Sequence, residues 1–191
     1  YVKVTISTPG NADVVYTTTA QVAGEVPVWY GHGGDPAKVV HVRSGSTAHN
    51  PAGTSWADAF PDLESAYQKL TSERNEIWVA GDIVHTKEPT YFYCNVATTV
   101  RGGFTGAEDS LEERPVDTVS TIDGQMLYNC LRPANLSTLT LERLRFKNGY
   151  GYGINRPECN GDLVAEDCDF ICNGATNNTN WLTQLNTPGM I

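Results

Sequence analysis

The chain has 191 residues, 13 basic and 22 acidic side chains, a net charge of −9 and 40% hydrophobic residues. That balance argues against a nucleic-acid partner held by phosphate neutralisation. No run approaches the roughly 18 apolar residues of a membrane span, and no basic segment followed by an apolar one opens the chain as a signal peptide would.

Residues 1–36 read as an N-terminal extended segment, with β-strands leading into or capping the region beyond residue 37. Val2, Val4 and Ile6 alternate, and Val14 to Thr19 is strongly β-prone. Gly31, Gly33, Gly34 and Pro36 then break the pattern. Residues 38–42 form a further short strand, and a polar loop runs from Ser44 to Thr54. Phe60, Leu63, Ala66, Tyr67 and Leu70 recur at spacings of three and four, which predicts one amphipathic helix at about 60–71. Pro61 fits its first turn, and Ser55 or Asp58 could cap an earlier one. Residues 176–191 read as loop, with Trp181, Leu182 and Leu185 as an apolar patch.

Beyond residue 75 the chain becomes short β-rich runs punctuated by glycine, and a repeat emerges. Residues 128–146 align with 152–170 at an offset of 24, sharing Tyr128/Tyr152, Arg132/Arg156, Pro133/Pro157, Leu139/Leu163, Glu142/Glu166 and Phe146/Phe170. Upstream, Trp78, Val100, Ile122, Phe146 and Phe170 succeed one another at 22, 22, 24 and 24 residues. A unit of this length cannot bury its apolar side alone. Stacking copies, with strands about 4.8 Å apart, would pile like residues into interior ladders. Residues 37–175 are therefore expected to form a solenoid, with a bend at Glu142-Arg143 and turns at Asn148-Gly149 and Asn173-Gly174. A leucine-rich repeat is the competing use of a 24-residue period, but Leu is missing from most of the sites it requires.

The charges fit the same register. Arg143 meets Asp167, Arg145 meets Asp169 and Lys147 meets Asp123 on neighbouring rungs, pairs worth about 0.2–1 kcal/mol each. The carboxylates Asp162, Glu166, Asp167 and Asp169 thus read as ion-pair partners before they read as an acid–base centre. The five cysteines, Cys94, Cys130, Cys159, Cys168 and Cys172, form no C-x-x-C motif, and an odd number cannot all pair internally. Buried thiols are expected, with Cys159 the candidate for a disulfide. His32, His41, His49 and His85 lack metal-ligand spacing, and His41 in its Val-rich strand reads as structural. No nucleophile, metal ligand or cofactor fingerprint is found.

His41-Val42-Arg43-Ser44-Gly45, then Gly53 to Phe60, Asp62-Leu63 and Ala66, resemble the opening of bacterial secreted right-handed parallel β-helix proteins, the group with polymorphic outer-membrane-protein-like repeats. Glu76 to Gly81, Val100 to Phe104, Glu108 to Arg114 and Leu139 to Gly149 resemble their later motifs. The resemblance implies an all-β, right-handed parallel β-helix with an N-terminal capping α-helix, secreted or displayed at the cell surface, and continuing past Ile191 or covered by a partner at that end. Residues 1–36 have no counterpart in it.

The candidate ligand-binding residues are Tyr128, Tyr152, Arg132, Arg156 and Tyr150. Repeated tyrosines beside repeated arginines could stack on sugar rings or bind acidic glycans. The expected function is that of a non-catalytic module in adhesion, scaffolding or glycan binding, with glycans or surface proteins as partners. The alternative is a fragment of a β-helical polysaccharide lyase or glycoside hydrolase whose active part lies outside this chain.

Overall fold

The computed structural model describes residues 2–6, 14–18, 38–91, 96–134, 137–155 and 161–174. The chain divides into two units, residues 1–31 and 32–191. In the first, β1 (Val2–Ile6) and β2 (Val14–Thr18) pair antiparallel, with Val2 opposite Thr18 and Ile6 opposite Val14.

The described residues of the second unit form nine short strands: β3 (Val39–Arg43), β4 (Glu76–Ala80), β5 (Ile83–Val84), β6 (Thr98–Phe104), β7 (Ser120–Asp123), β8 (Leu139–Glu142), β9 (Leu144–Lys147), β10 (Leu163–Glu166) and β11 (Asp169–Ile171). From β4 onward the chain alternates between two parallel sheets, one ordered β10-β8-β6-β4-β3 and the other β11-β9-β7-β5. Alternation of side chains about each strand sends one set into a shared core. Val40, Ile77, Val100 and Leu141 fill one row of the five-stranded sheet. Ile83, Ile122, Phe146 and Phe170 fill the facing row of the four-stranded sheet. Every member of the two rows except Phe170 is at most 4% exposed.

The 24-residue offset is the pairing register at the C-terminal side, where Leu139 lies beside Leu163 and Phe146 beside Phe170. The two phenyl rings stack at 5.2 Å with an interplanar angle of 16°. The bends repeat as well: Arg143 and Asp167 have φ of 51° and 50°, and Asn148 and Cys172 have φ of 55° and 52°. Left-handed backbone at a non-glycine residue costs on the order of 1–2 kcal/mol, so it persists where the two sheets must diverge. Gly102 is needed at another close approach, since a Cβ there would sit 2.3 Å from the Arg143 carbonyl oxygen and 2.7 Å from Leu144 Cδ2.

Three expectations need correction. The right-handed parallel β-helix with a capping helix is not what forms. The described residues make two parallel sheets of five and four strands with a few helical turns, an α/β-like arrangement in which no solenoid or closed helix is detected. The side that would close each turn has no third sheet among the described residues; between β7 and β8 the chain meets residues 150–155 through a few backbone hydrogen bonds and an isolated bridge, Leu131 to Ile154. The upstream period mixed the two sheets, because Trp78 and Val100 lie in the five-stranded sheet, on opposite faces of it, and Ile122 lies in the other. The helix, α1, spans only Leu63–Tyr67, capped by the Asp62 carboxylate accepting from Ser65 N, while Phe60 is drawn into a bridge with Val42. Leu63, Ala66 and Tyr67 still bury their stripe.

The outer face of the five-stranded sheet carries a second core: Val39, Trp56, Trp78, Ala80, Phe104 and Leu111. Residues 105–119 fold over it. Trp56 Nε1 donates to the Glu108 carbonyl (2.7 Å), and the buried Glu108 carboxylate accepts from Thr105 N, Thr105 Oγ1, Gly106 N and Ala107 N. Arg114 donates to the Gly102 carbonyl and to Glu142, which also pairs with Arg101. Burial, reinforced by the nearby Arg143 and Arg101, lowers the Arg114 pKa to about 10. Of the expected ion pairs, Arg145–Asp169 (2.7 Å) and Lys147–Asp123 (3.3 Å) form. Arg143 instead donates to the carbonyls of Pro115, Val116 and Thr118, because its left-handed bend turns it toward that loop. His41 is structural, its Nδ1 donating to the Gly53 carbonyl between Trp56 and Trp78.

Burial raises the Glu108 pKa, but the donors from Thr105 and Ala107 outweigh it and hold the group below its ordinary 4.5. A depressed folded pKa contributes stability that is present above 4.5 and lost as pH falls through the folded value. Acid titration followed by Trp56 fluorescence should therefore show the loop loosening below that point. Glu108→Gln should remove this transition and cost ~1–3 kcal/mol at neutral pH in a urea melt.

Candidate functional site

Three lengths of chain, residues 83–91, 121–132 and 150–155, run side by side. β5 sets the first against β7, and the contact continues beyond the strands: His85 N donates to the Asp123 carbonyl (3.0 Å), and His85 Nε2 donates to the Cys130 carbonyl (2.7 Å). Gln125 Nε2 then donates to the His85 carbonyl and Tyr128 OH to the Thr86 carbonyl. On the other side Tyr150 N donates to the Tyr128 carbonyl (2.9 Å), Leu131 N to the Gly153 carbonyl (3.0 Å) and Asn155 N to the Leu131 carbonyl (2.8 Å).

Glu88 organises the polar part of this surface. One carboxylate oxygen accepts from Asn129 N (3.1 Å) and the other from Asn129 Nδ2 (2.5 Å). Arg132 Nη1 lies 3.2 Å from Glu88 Oε1 and donates to the Pro89 carbonyl, and the guanidinium carbon stands 3.8 Å from the centre of the Tyr91 ring. Two buried atoms have no hydrogen-bond partner here, Asn129 Oδ1 and Arg132 Nε. Each leaves uncompensated about 1–3 kcal/mol of desolvation. Around them Tyr91 is 38% and Tyr150 57% exposed. The aromatic faces are thus at the surface, and the unpartnered acceptor and donor lie just beneath it.

The candidate residues are only partly brought together. Tyr128, Tyr150, Tyr152 and Arg132 meet on this surface, whereas Arg156 lies outside the described residues. The register here is shorter than the 24-residue repeat: Tyr128 bonds to Tyr150, Cys130 to Tyr152, and Leu131 bridges to Ile154. Tyr128 and Tyr152 are therefore not rungs of one ladder. Glu88, Tyr91 and Asn129 were not foreseen, since a carboxylate that joins residues 41 and 44 positions away leaves no local pattern.

A cleft of about 260 Å³ opens next to this surface and shares His85 and Thr86 with it. Its carboxylates are engaged: Asp62 caps Ser65, Glu64 pairs with Lys87 (3.0 Å), and Asp82 accepts from Thr121 N. Among the described residues no group of three His, Cys, Asp or Glu could hold a metal ion, and no helix is long and apolar enough to cross a membrane. Cys130, Cys168 and Cys172 are free thiols; burial pushes Cys130 up to about 12 and Cys168 to about 11. Cys94 and Cys159, with the disulfide expected of the latter, lie outside the described residues.

Searches with family models, among curated proteins and among solved structures find nothing that matches this chain.

Glu88→Ala should destabilise the unit by ~1–2 kcal/mol, because it strips partners from both Asn129 and Arg132. Lys87→Ala, whose side chain is 75% exposed in its pair with Glu64, should leave stability unchanged within error. Thermal melts of the two variants measure the difference.

Proposed function

We propose that this chain is a non-catalytic carbohydrate-binding module of a secreted or surface protein, acting in adhesion or scaffolding. The observation that carries the reading is the surface around Glu88, where exposed rings of Tyr91 and Tyr150 flank the unpartnered Asn129 Oδ1 and Arg132 Nε. A sugar ring has an apolar face that stacks on tyrosine and hydroxyls that donate and accept together. Both atoms lie beneath the surface, so a hydroxyl pair supplies the bonds they lack once the side chains above them shift aside. Secretion or surface display rests on the sequence resemblance.

The chemistry favours neutral over acidic glycans. Arg132 already has Glu88 as counter-ion and the Tyr91 face as a second contact. The net charge of −9 repels a polyanion further.

A glycan array followed by calorimetry tests the proposal. Neutral glycans should bind, with little salt dependence and with no release of product ends. Tyr150→Ala and Arg132→Ala should each weaken binding about five- to tenfold, and Tyr150→Ala should leave the melting temperature unchanged. An array without neutral binders, binding indifferent to Tyr150→Ala, or turnover of a polysaccharide would each overturn the reading.

A further inference from the structure

The two outer edges of the five-stranded sheet are finished differently. At β3 the edge is covered: His41 N donates to the Gly53 carbonyl, Phe60 N to the His41 carbonyl and Arg43 N to the Phe60 carbonyl, with α1 packed alongside. At the other end β10 and β11 each have one neighbour among the described residues, β8 and β9. The carbonyls of Asp162 and Glu166 point to β8 and that of Ile171 to β9. The N–H and C=O of one strand residue share a direction that reverses at the next. Leu163, Ala165 and Phe170 therefore aim theirs away from the sheets, as an open template for another strand.

The side chains of this edge give the template a chemistry. Phe170 stacks one ring face on Phe146 and remains 40% exposed, with Ile171 at 42%. Along the outer face of the larger sheet the register sets Arg101 beside Glu142, and Glu142 beside a second carboxylate, Glu166. Arg101 neutralises Glu142, yet Glu166 and Asp167, both exposed, have no cationic partner among the described residues. A second copy docking through the same edge would set these carboxylates against their own kind. Residues 175–191 contain no Lys or Arg to supply the missing charge.

We propose that the β10–β11 edge is a docking site for an extended segment of a partner protein, added as two short parallel strands joined by a bend opposite Asp167, with a basic residue opposite Glu166 and an aromatic or aliphatic one over Phe170. Main-chain bonds to Ala165 and Phe170 supply attachment, and the placing of basic and apolar residues about the bend supplies register and selectivity.

The probe is a short synthetic peptide with lysines at the positions opposite Glu166 and Asp167 and valine or phenylalanine at those opposite Leu163, Ala165 and Phe170, tested on the full chain by calorimetry and amide hydrogen exchange. In the free protein the amides of Leu163, Ala165 and Phe170 should exchange rapidly, and the peptide should slow Ala165 and Phe170. Ala165→Pro removes an outward N–H that no sheet neighbour uses and is tolerated on an edge strand. It should weaken the peptide about tenfold or more with the fold intact by circular dichroism, and Glu166→Gln should weaken it several-fold. Replacing the peptide's lysines by glutamate, or scrambling its order at constant charge, should abolish binding. Edge amides already protected without peptide would overturn the proposal, because the edge would then be covered by the chain itself or by a second copy. Equal binding by the scrambled peptide, or by the Ala165→Pro variant, would also overturn it. Either result would leave the glycan reading of the Glu88 surface intact.

Discussion

Parallel pairing in a register that places like residue over like residue is the constraint on which the rest of the second unit depends. A strand of four residues has too few hydrogen bonds and too little apolar area to hold itself. Leu139 beside Leu163 and Phe146 beside Phe170 make such strands persist, because each neighbour continues both the ladder and the buried row. The left-handed bends at Arg143 and Asp167 send consecutive strands into different sheets, so that one stretch of sequence contributes to both walls of a single core. A slip by one residue would turn Phe146 outward and Arg145 inward. The Arg145–Asp169 and Lys147–Asp123 pairs oppose that slip from outside the core.

How well the sequence announced this varied with how local the cause was. The offset of 24 was legible because residues 137–147 and 161–171 have equal length and nothing is inserted between equivalent positions. Earlier steps were not, because residues 85–97 and 105–119 lengthen the connections; Ile83 pairs with Ile122, 39 residues away, and no constant spacing connects them. The helix was placed correctly by its apolar stripe and made too long, since the stripe marks burial and says nothing of Phe60 leaving to bridge Val42. A repeating period fixes strand-on-strand register but not closure of a third side, which is where the solenoid expectation failed. The outer core of Trp56, Trp78 and Phe104 was illegible for a related reason: alternation assigns one face of a strand to solvent unless a distant loop is known to cover it.

The tyrosines and the arginine were legible as residues and misjudged as a geometry. Equal spacing suggested stacked copies, but the backbone on that side pairs at a shorter offset, so Tyr128 sits beside Tyr150 and Arg132 is tied to Glu88. What makes this surface a candidate for recognition is less its repetition than its incompleteness. Asn129 Oδ1 and Arg132 Nε are buried without partners, against the general rule that buried polar atoms are satisfied. The open β10–β11 edge is incomplete in the backbone sense, with outward N–H groups and uncompensated carboxylates. The two proposals assign these places different ligands, hydroxyl-rich rings to one and an extended basic segment to the other.

The register of β9 against β11 is the most direct point at which to test this account. Solution NMR should show nuclear Overhauser contacts from the Phe146 ring to Phe170 on one side and to Ile122 on the other, with the cross-strand pattern of parallel neighbours. Contacts from Phe146 to a different residue of 161–174, or an antiparallel pattern between the two strands, would contradict it.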